Sequence, residues 1–508
     1  MTLVDFLRNS AIQHPDQLAY ICRTEKETYE GVYQKVKNIA THLMEMGVQK
    51  GDPVALLLNN SSEFVLAYYG ILTAGAVVIP INPIYTQHEI QYILENSQSK
   101  IAIATNDLKA AFTQLHAKLF HLNQVVFVGE EPQEEWAVPF TQLVEAPVGI
   151  HGDFPTLTED DLSVILYTSG TTGRPKGAML SHGNLGSNAL AIVEQMGIKK
   201  DVKAINVLPM FHVFGMTVGL NATISLGGTL VIVPRFSPKE VVETIRDTKA
   251  TLLPGVPTMY NFLLNYEEAT REDLSSLTIC MSGGAAMPVA LLNNFEEKFG
   301  LVIYEGYGLS ESSPFTHFSS EHRGRRIGAI GRNVPGVTCK VVDEEDVELP
   351  RGQVGELAVQ GPNVMKGYLN MPEETAYTMR NGWLHTGDMA YIDEEGFAYI
   401  VDRKKDMVIV GGYNVYPREV EEVLYKHASI VEAAVTGVPD EAYGEIVCAY
   451  VVVRDPFLTE ETIIEYCKEH LAKYKVPRKV VFMEELPKNT TGKILRRVLR
   501  DQNKVSVN

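Results

Sequence analysis

The sequence predicts an α/β protein: a large N-terminal domain of parallel sheets covered by helices, with a small antiparallel sheet, followed by a small α+β C-terminal lid domain. Three observations predict it. Helical and strand patterns alternate from residue 33 to about 335. Short strands with turn signals replace that alternation beyond about 335. A new α/β pattern then opens after the charged run Asp402-Arg403-Lys404-Lys405. The domains implied are 1–402 and 403–508 of a 508-residue chain, which is long enough for more than one core.

The alternation can be followed element by element. Val36, Ala40 and Leu43 share one face of a helix spanning residues 33–46, and Gly47 stops it. The apolar run from Val54 to Leu58 is a buried strand. Residues 64–81 and 204–234 carry no Asp, Glu, Lys or Arg, which raises the question of a membrane span. Glycines and Pro80 break the first run, glycines and asparagines the second, and β-branched residues close both. Each therefore reads as a buried helix, a glycine turn and a buried strand. Ser163-Val-Ile-Leu166 and 277–281 are further strands. Pro288 enters the first turn of a helix with Leu291, Leu292, Phe295 and Phe299 on one face. Gly300 ends that helix, and a strand follows at Leu301-Val-Ile-Tyr304. The smaller sheet is expected at 339–342, 354–359 and 397–401. The last unit has helices at 418–426 and 460–472 and strands at 449–453 and 479–482.

A hydrophobic fraction of 45% with 21% charged residues excludes a disordered, collagen-like or coiled-coil chain. The net charge of −18 argues against general nucleic-acid binding. Five cysteines without zinc spacing fit single thiols in a reducing cytoplasm. The N-terminus carries no basic segment followed by an apolar one, so a cytoplasmic location is expected.

The densest chemical signal is Tyr167-Thr-Ser-Gly-Thr-Thr-Gly-Arg-Pro-Lys-Gly177, directly after a strand. Hydroxyls of Ser169, Thr171 and Thr172, the backbone freedom of Gly170 and Gly173, and the charge of Lys176 together suit a polyphosphate. The spacing is not that of the common G-x-x-x-x-G-K-[ST] loop. In Tyr304-Glu-Gly-Tyr-Gly-Leu-Ser-Glu-Ser312, Tyr307 can stack on a purine, and Gly306 and Gly308 permit close approach. Small residues in Ser282-Gly-Gly-Ala-Ala286 leave room for a planar base. Asp388, in Trp383-Leu-His-Thr-Gly-Asp388, is expected in a turn before a strand, where a carboxylate can accept from a vicinal diol. Nine basic residues between Lys473 and Arg500, against two acidic ones, suggest a cationic lid for an anionic substrate.

Through these ordered motifs the whole chain resembles the adenylate-forming ANL superfamily, the acyl-CoA synthetases. Within it the chain is most like the bacterial long-chain fatty acid–CoA ligases. The resemblance implies ATP, Mg2+ and CoA as ligands and a fatty acid as substrate. It implies Thr168, Ser169, Gly170, Thr171, Thr172, Gly173 and Lys176 at the phosphates. Gly284, Ala285, Glu305, Gly306, Tyr307 and Gly308 would lie at the adenine, and Ser310, a serine where relatives more often carry threonine, at phosphate or carboxylate. Thr171 and Glu311 would hold the metal. Asp388 would take the ribose hydroxyls, with Arg403 near ribose and α-phosphate. Lys405 would be the hinge of the lid, and Lys493, in Pro487-Lys-Asn-Thr-Thr-Gly-Lys493, would meet carboxylate and α-phosphate. His212, within Pro209-Met-Phe-His-Val-Phe-Gly215, would border the acyl pocket and thioester tunnel, and Gly411 and Gly412 would line the pantetheine path.

The implied reaction makes acyl-AMP and pyrophosphate, then acyl-CoA and AMP. The alternatives are an aryl- or other carboxylic acid–CoA ligase, or an acid-adenylating enzyme serving a carrier protein. A nucleotide-binding regulator that cleaves ATP at the β–γ bond would be a rival of another class. The expected partners are small molecules, with no nucleic acid and no membrane span. Peripheral lipid contact and a homodimer are left open.

Overall fold

The computed structural model describes residues 1–130, 132, 134–146, 153–168, 175–490 and 492–505. Its large N-terminal domain is built on a nine-stranded and an eight-stranded sheet, with a four-stranded sheet next in the chain. A five-stranded sheet carries the C-terminal domain.

In the eight-stranded sheet, Pro53–Leu57, Val77–Pro80, Ile101–Thr105 and Gln124–Val128 run parallel. Leu162–Thr168 joins them in parallel and then pairs antiparallel with Lys176–Ser181. Val54, Ala55, Leu56 and Leu57 are all fully buried, as a strand covered on both faces must be. Each such large aliphatic side chain contributes about 1.5–3 kcal/mol of burial.

The first uncharged run forms the helix Ser62–Thr73 and the strand Val77–Pro80. Ser61 caps that helix by accepting from the Phe64 N–H. Nearly every residue of the helix is buried, which explains why its sequence has no polar face. The second run yields the strand Lys203–Asn206, the wide-turned helix Gly215–Ala222 and the strand Thr229–Ile232. Among the described residues no helix is long and apolar enough to cross a membrane.

The nine-stranded sheet positions the site. Lys203–Asn206, Leu252–Gly255, Ile279–Ser282 and Ile303–Gly308 run parallel. Their register sets Gly255, Ser282 and Glu305 side by side. The carboxyl ends of adjacent strands therefore open onto one crevice, where α/β sheets bind ligands.

The four-stranded sheet is antiparallel and pairs Thr338–Val342, Gly355–Gln360, Leu384–Ile392 and Ala398–Arg403 in turn. In the C-terminal domain, Ile430–Asp440 pairs with Gly444–Val453, which also accepts the parallel strand Lys479–Phe482. The helices Pro417–Leu424 and Glu460–His470 bury Val420, Leu424, Ile463 and Cys467 against that sheet.

Several local expectations change. The first long helix begins at Tyr29, not 33, because Thr28 caps it by accepting from the Gly31 N–H. Pro288 stands at the N-cap of Val289–Phe299, outside the first turn. The following strand starts at Ile303 and runs through Gly308, so half of the Tyr304–Ser312 motif is itself strand. Asp388 lies within the strand Leu384–Ile392, not in a turn before it. The bend that the glycine suggested is absorbed there by Gly387 at φ +72° and a register shift in the pairing.

Candidate active site

The crevice is walled by small residues for steric reasons. Gly284 has φ +78°, a conformation that favours glycine, and Gly284, Ala285 and Ala286 are exposed just beyond the carboxyl end of the strand Ile279–Ser282. A Cβ on Gly308 would collide with the Pro314 carbonyl, and one on Gly306 would meet Phe315 and Phe318. Both strand glycines are thus required by packing. Ser310 opens the short 3-10 turn Ser310–Ser312 that presents Glu311.

Tyr307, Asp388 and Arg403 come together from three strands. The Tyr307 hydroxyl donates to Asp388 Oδ2. Asp388 faces Arg403 across the antiparallel pair, with Nε 3.4 Å from Oδ1. Burial, then the Asp388 carboxylate, raises the Tyr307 phenol, which stays a donor.

The C-terminal domain brings Lys493 to the same place. Thr490 Oγ1 accepts from Asn82 Nδ2 at 3.0 Å, and the Gly492 carbonyl accepts from Thr258 Oγ1 at 3.3 Å. Burial, with Arg403 beside it, lowers the Lys493 ammonium from 10.5 to about 7, against the opposing pull of Asp388. The charge of Lys493 also acts on His212, which burial depresses to about 4 with a smaller push from the ammonium. His212 is therefore a neutral imidazole at pH 7. Asn60, a residue that the sequence did not flag, braces this loop. Its carboxamide donates to the carbonyls of Asn206 and Leu208 and accepts from the Met210 N–H at 2.8 Å.

Lys176 and Glu311 form a neighbouring cluster. Thr168 faces Lys176 across the strand pair Leu162–Thr168 and Lys176–Ser181. Ser169, Gly170, Thr171, Thr172 and Gly173 lie outside the described residues. The Lys176 ammonium pairs with Glu374 and lies 5.3 Å from the centre of the Tyr368 ring. The Tyr368 hydroxyl donates to Glu311 Oε1 at 2.8 Å. Tyr368 and Glu374 link Lys176 to Glu311, and nothing in their local sequence marked them. Among the described residues no three His, Cys, Asp or Glu side chains cluster as a metal cage.

Other expected residues take different places. The Glu305 side chain is engaged by the protein itself. It is 7% exposed, accepts from the Met287 N–H at 3.3 Å, and lies near Arg418 and Glu422 of the C-terminal domain. Burial raises its carboxyl to about 7. Lys405 is exposed, and desolvation followed by Arg403 lowers its ammonium. Gly411 and Gly412 stand at an exposed hairpin tip with φ +57° and +86°, where Gly411 donates to the Tyr443 carbonyl. Their contacts in this orientation belong to the C-terminal domain, not to the crevice.

The chain is similar to known proteins along its whole length. Residues 7–369 match the AMP-binding enzyme family, and residues 419–493 match the AMP-binding enzyme C-terminal domain. The long-chain-fatty-acid–CoA ligase of Bacillus subtilis (strain 168) is 40% identical, over 99% of this chain and 94% of that protein. The anthranilate CoA ligase AuaEII, solved with anthranoyl-AMP, superposes with a TM-score of 0.94 at 29% identity, covering 100% of this chain and 98% of its own. ATP-bound MatB from Rhodopseudomonas palustris gives 0.92 at 35% identity, covering 99% of both chains.

Proposed function

The chain belongs to the AMP-binding enzyme family, and from that membership we propose that it is an AMP-forming acid–thiol ligase. Its substrates are a fatty acid, ATP and CoA, and its products are acyl-CoA, AMP and pyrophosphate. The observation that carries this reading is the convergence of Lys493, Arg403, Asp388 and Tyr307 beside the neutral His212.

A carboxylate is a poor electrophile for a thiol, so the chain must first convert it to a mixed anhydride. Asp388 holds the ribose diol through its two oxygens, and Tyr307 stacks on the base held against Gly284 and Ala285. Lys493 and Arg403 bring the acid carboxylate to the α-phosphorus and offset charge on both. The carboxylate oxygen forms the new P–O bond as pyrophosphate leaves. Lys176, with the phosphate loop from Thr168 to Gly173, neutralises the departing phosphates. Glu311, already oriented by Tyr368, fits a magnesium ion and would hold it together with Thr171. That ion supplies further charge neutralisation at the phosphates when bound. This is catalysis by positioning and electrostatics.

Thioester formation needs a second arrangement. The domain 403–508 turns about Lys405, withdraws Lys493, and brings Gly411 and Gly412 to the pantetheine path beside His212. The thiol sulfur then bonds to the acyl carbon as the carbon–oxygen bond to AMP breaks, AMP leaves with that bond's electron pair, and the thiol proton passes to solvent.

A second reading, a shorter or aromatic acid, is favoured by one packing detail. Phe214 stands edge-on to Phe315 at 5.4 Å and lies within contact of any Cβ placed on Gly283, so bulky rings crowd the segment that follows His212. A panel of acids from short to long and aromatic, scored by pyrophosphate release with CoA present, tests both readings. Long-chain acids should give the fastest release. Preference for an aromatic acid would select the second reading, and acid-independent release of ADP would overturn both.

A further inference from the structure

We infer that Glu422 is a positioning residue for the adenylate-forming orientation, because it caps a helix of the large domain from the C-terminal domain. The helix Val289–Phe299 has Pro288 at its N-cap, and no side chain there accepts a hydrogen bond. Its first amides need outside acceptors. Glu305, from the adjacent strand, takes the Met287 N–H at 3.3 Å. Glu422, from the helix Pro417–Leu424, takes the Val289 N–H at 3.3 Å. A carboxylate there also sits at the favourable end of the helix dipole.

Glu422 is itself held in place. Arg418 Nε lies 3.9 Å from Glu422 Oε1, one helical turn away. Arg418 is anchored by Nη1 donating to the Ile400 carbonyl at 2.7 Å and by its own N–H donating to Asp402 Oδ2 at 3.0 Å. The capped helix starts three residues after the exposed Ala286. The orientation that lets Glu422 reach Val289 is also the one that sets Lys493 against Arg403 and Asp388. A rotation of the lid breaks both contacts together. Glu422 therefore weights the lid toward acyl-AMP formation and does so through the segment that carries the adenine wall. This rests on the two-orientation cycle proposed above.

The test compares Glu422→Ala and Glu422→Gln with the parent in two half-reactions. Glu422→Ala should lower acid-dependent ATP–pyrophosphate exchange about tenfold, the loss expected for one charge-assisted hydrogen bond. Thioester formation from supplied acyl-AMP should stay within about twofold on the same grounds. Glu422→Gln, which keeps an acceptor for Val289 and loses the charge facing Arg418, should fall between the parent and the alanine variant. An equal loss in both half-reactions would mean a merely structural role and would overturn the proposal, as would unchanged exchange. Amide hydrogen exchange at Val289 needs no turnover. It should quicken in Glu422→Ala, and an unchanged rate would overturn the capping role. A parent protein inactive in both half-reactions would instead overturn the ligase reading, with the capping role still decided by the exchange at Val289.

Discussion

Replacing Glu305 by glutamine should stabilise the protein above pH 7 and leave it unchanged near pH 4. The carboxyl is buried between the turn at Met287 and the charged residues Arg418 and Glu422, and burial raises it from 4.5 to about 7. An acid whose folded pKa is raised binds more protons folded than unfolded between those two values. Stability therefore falls as pH rises from 4.5 to about 7, and the loss is complete above 7. The shift sets an upper bound of about 3 kcal/mol at 1.36 kcal/mol per unit. With an unfolding entropy of about 2 cal/mol/K per residue, that is a rise of roughly 3–4 °C in the melting transition of the large domain. Thermal melts of parent and Glu305→Gln at pH 4 and pH 8 read the difference directly. Curves that differ equally at both pH values, or a variant that melts lower at pH 8, would refute the assignment of a buried, costly charge to this position.

Other outcomes follow from the same geometry. Lys493→Ala should abolish acid-dependent ATP–pyrophosphate exchange and spare thioester formation from supplied acyl-AMP; equal loss of both would contradict the two orientations. Asp388→Asn keeps an acceptor for Tyr307 but turns a donor toward Arg403. It should raise the KM for ATP about 10- to 100-fold, from a lost contact of about 1.5–3 kcal/mol, and an unchanged KM would remove Asp388 from the nucleotide site. Glu374→Gln frees Lys176 from its carboxylate partner. It should lower the KM for ATP and enlarge the thermal shift that ATP produces, whereas a raised KM would show that Glu374 serves the nucleotide rather than competing with it.

How much of this was legible in the chain depends on the range of each interaction. Patterns set by near neighbours could be read directly. Val54 to Leu57 announced a covered strand, whereas Gly306 and Gly308, expected to admit a ligand, are needed by the chain's own packing against Pro314, Phe315 and Phe318. The α/β architecture and the antiparallel sheet after residue 335 followed from such local rules. Element ends were less legible. The helix capped by Thr28 starts four residues before the expected 33, with Tyr29 and Val32 already buried, and Gly387 bends a strand without ending it.

Contacts across the fold were another matter. Tyr368, Glu374, Asn60 and Glu422 have side-chain types that usually face solvent or fill a core, and only partners between 57 and 198 residues away give them roles. The Glu305 side chain is taken up by the Met287 N–H and lies near Arg418 and Glu422, partners that no local pattern marks. The order of residues determined which elements form and which chemical groups the chain carries. Tertiary structure alone decided which of those groups share one low-dielectric crevice, since burial and charge proximity are properties of distance in space and not of spacing along the chain.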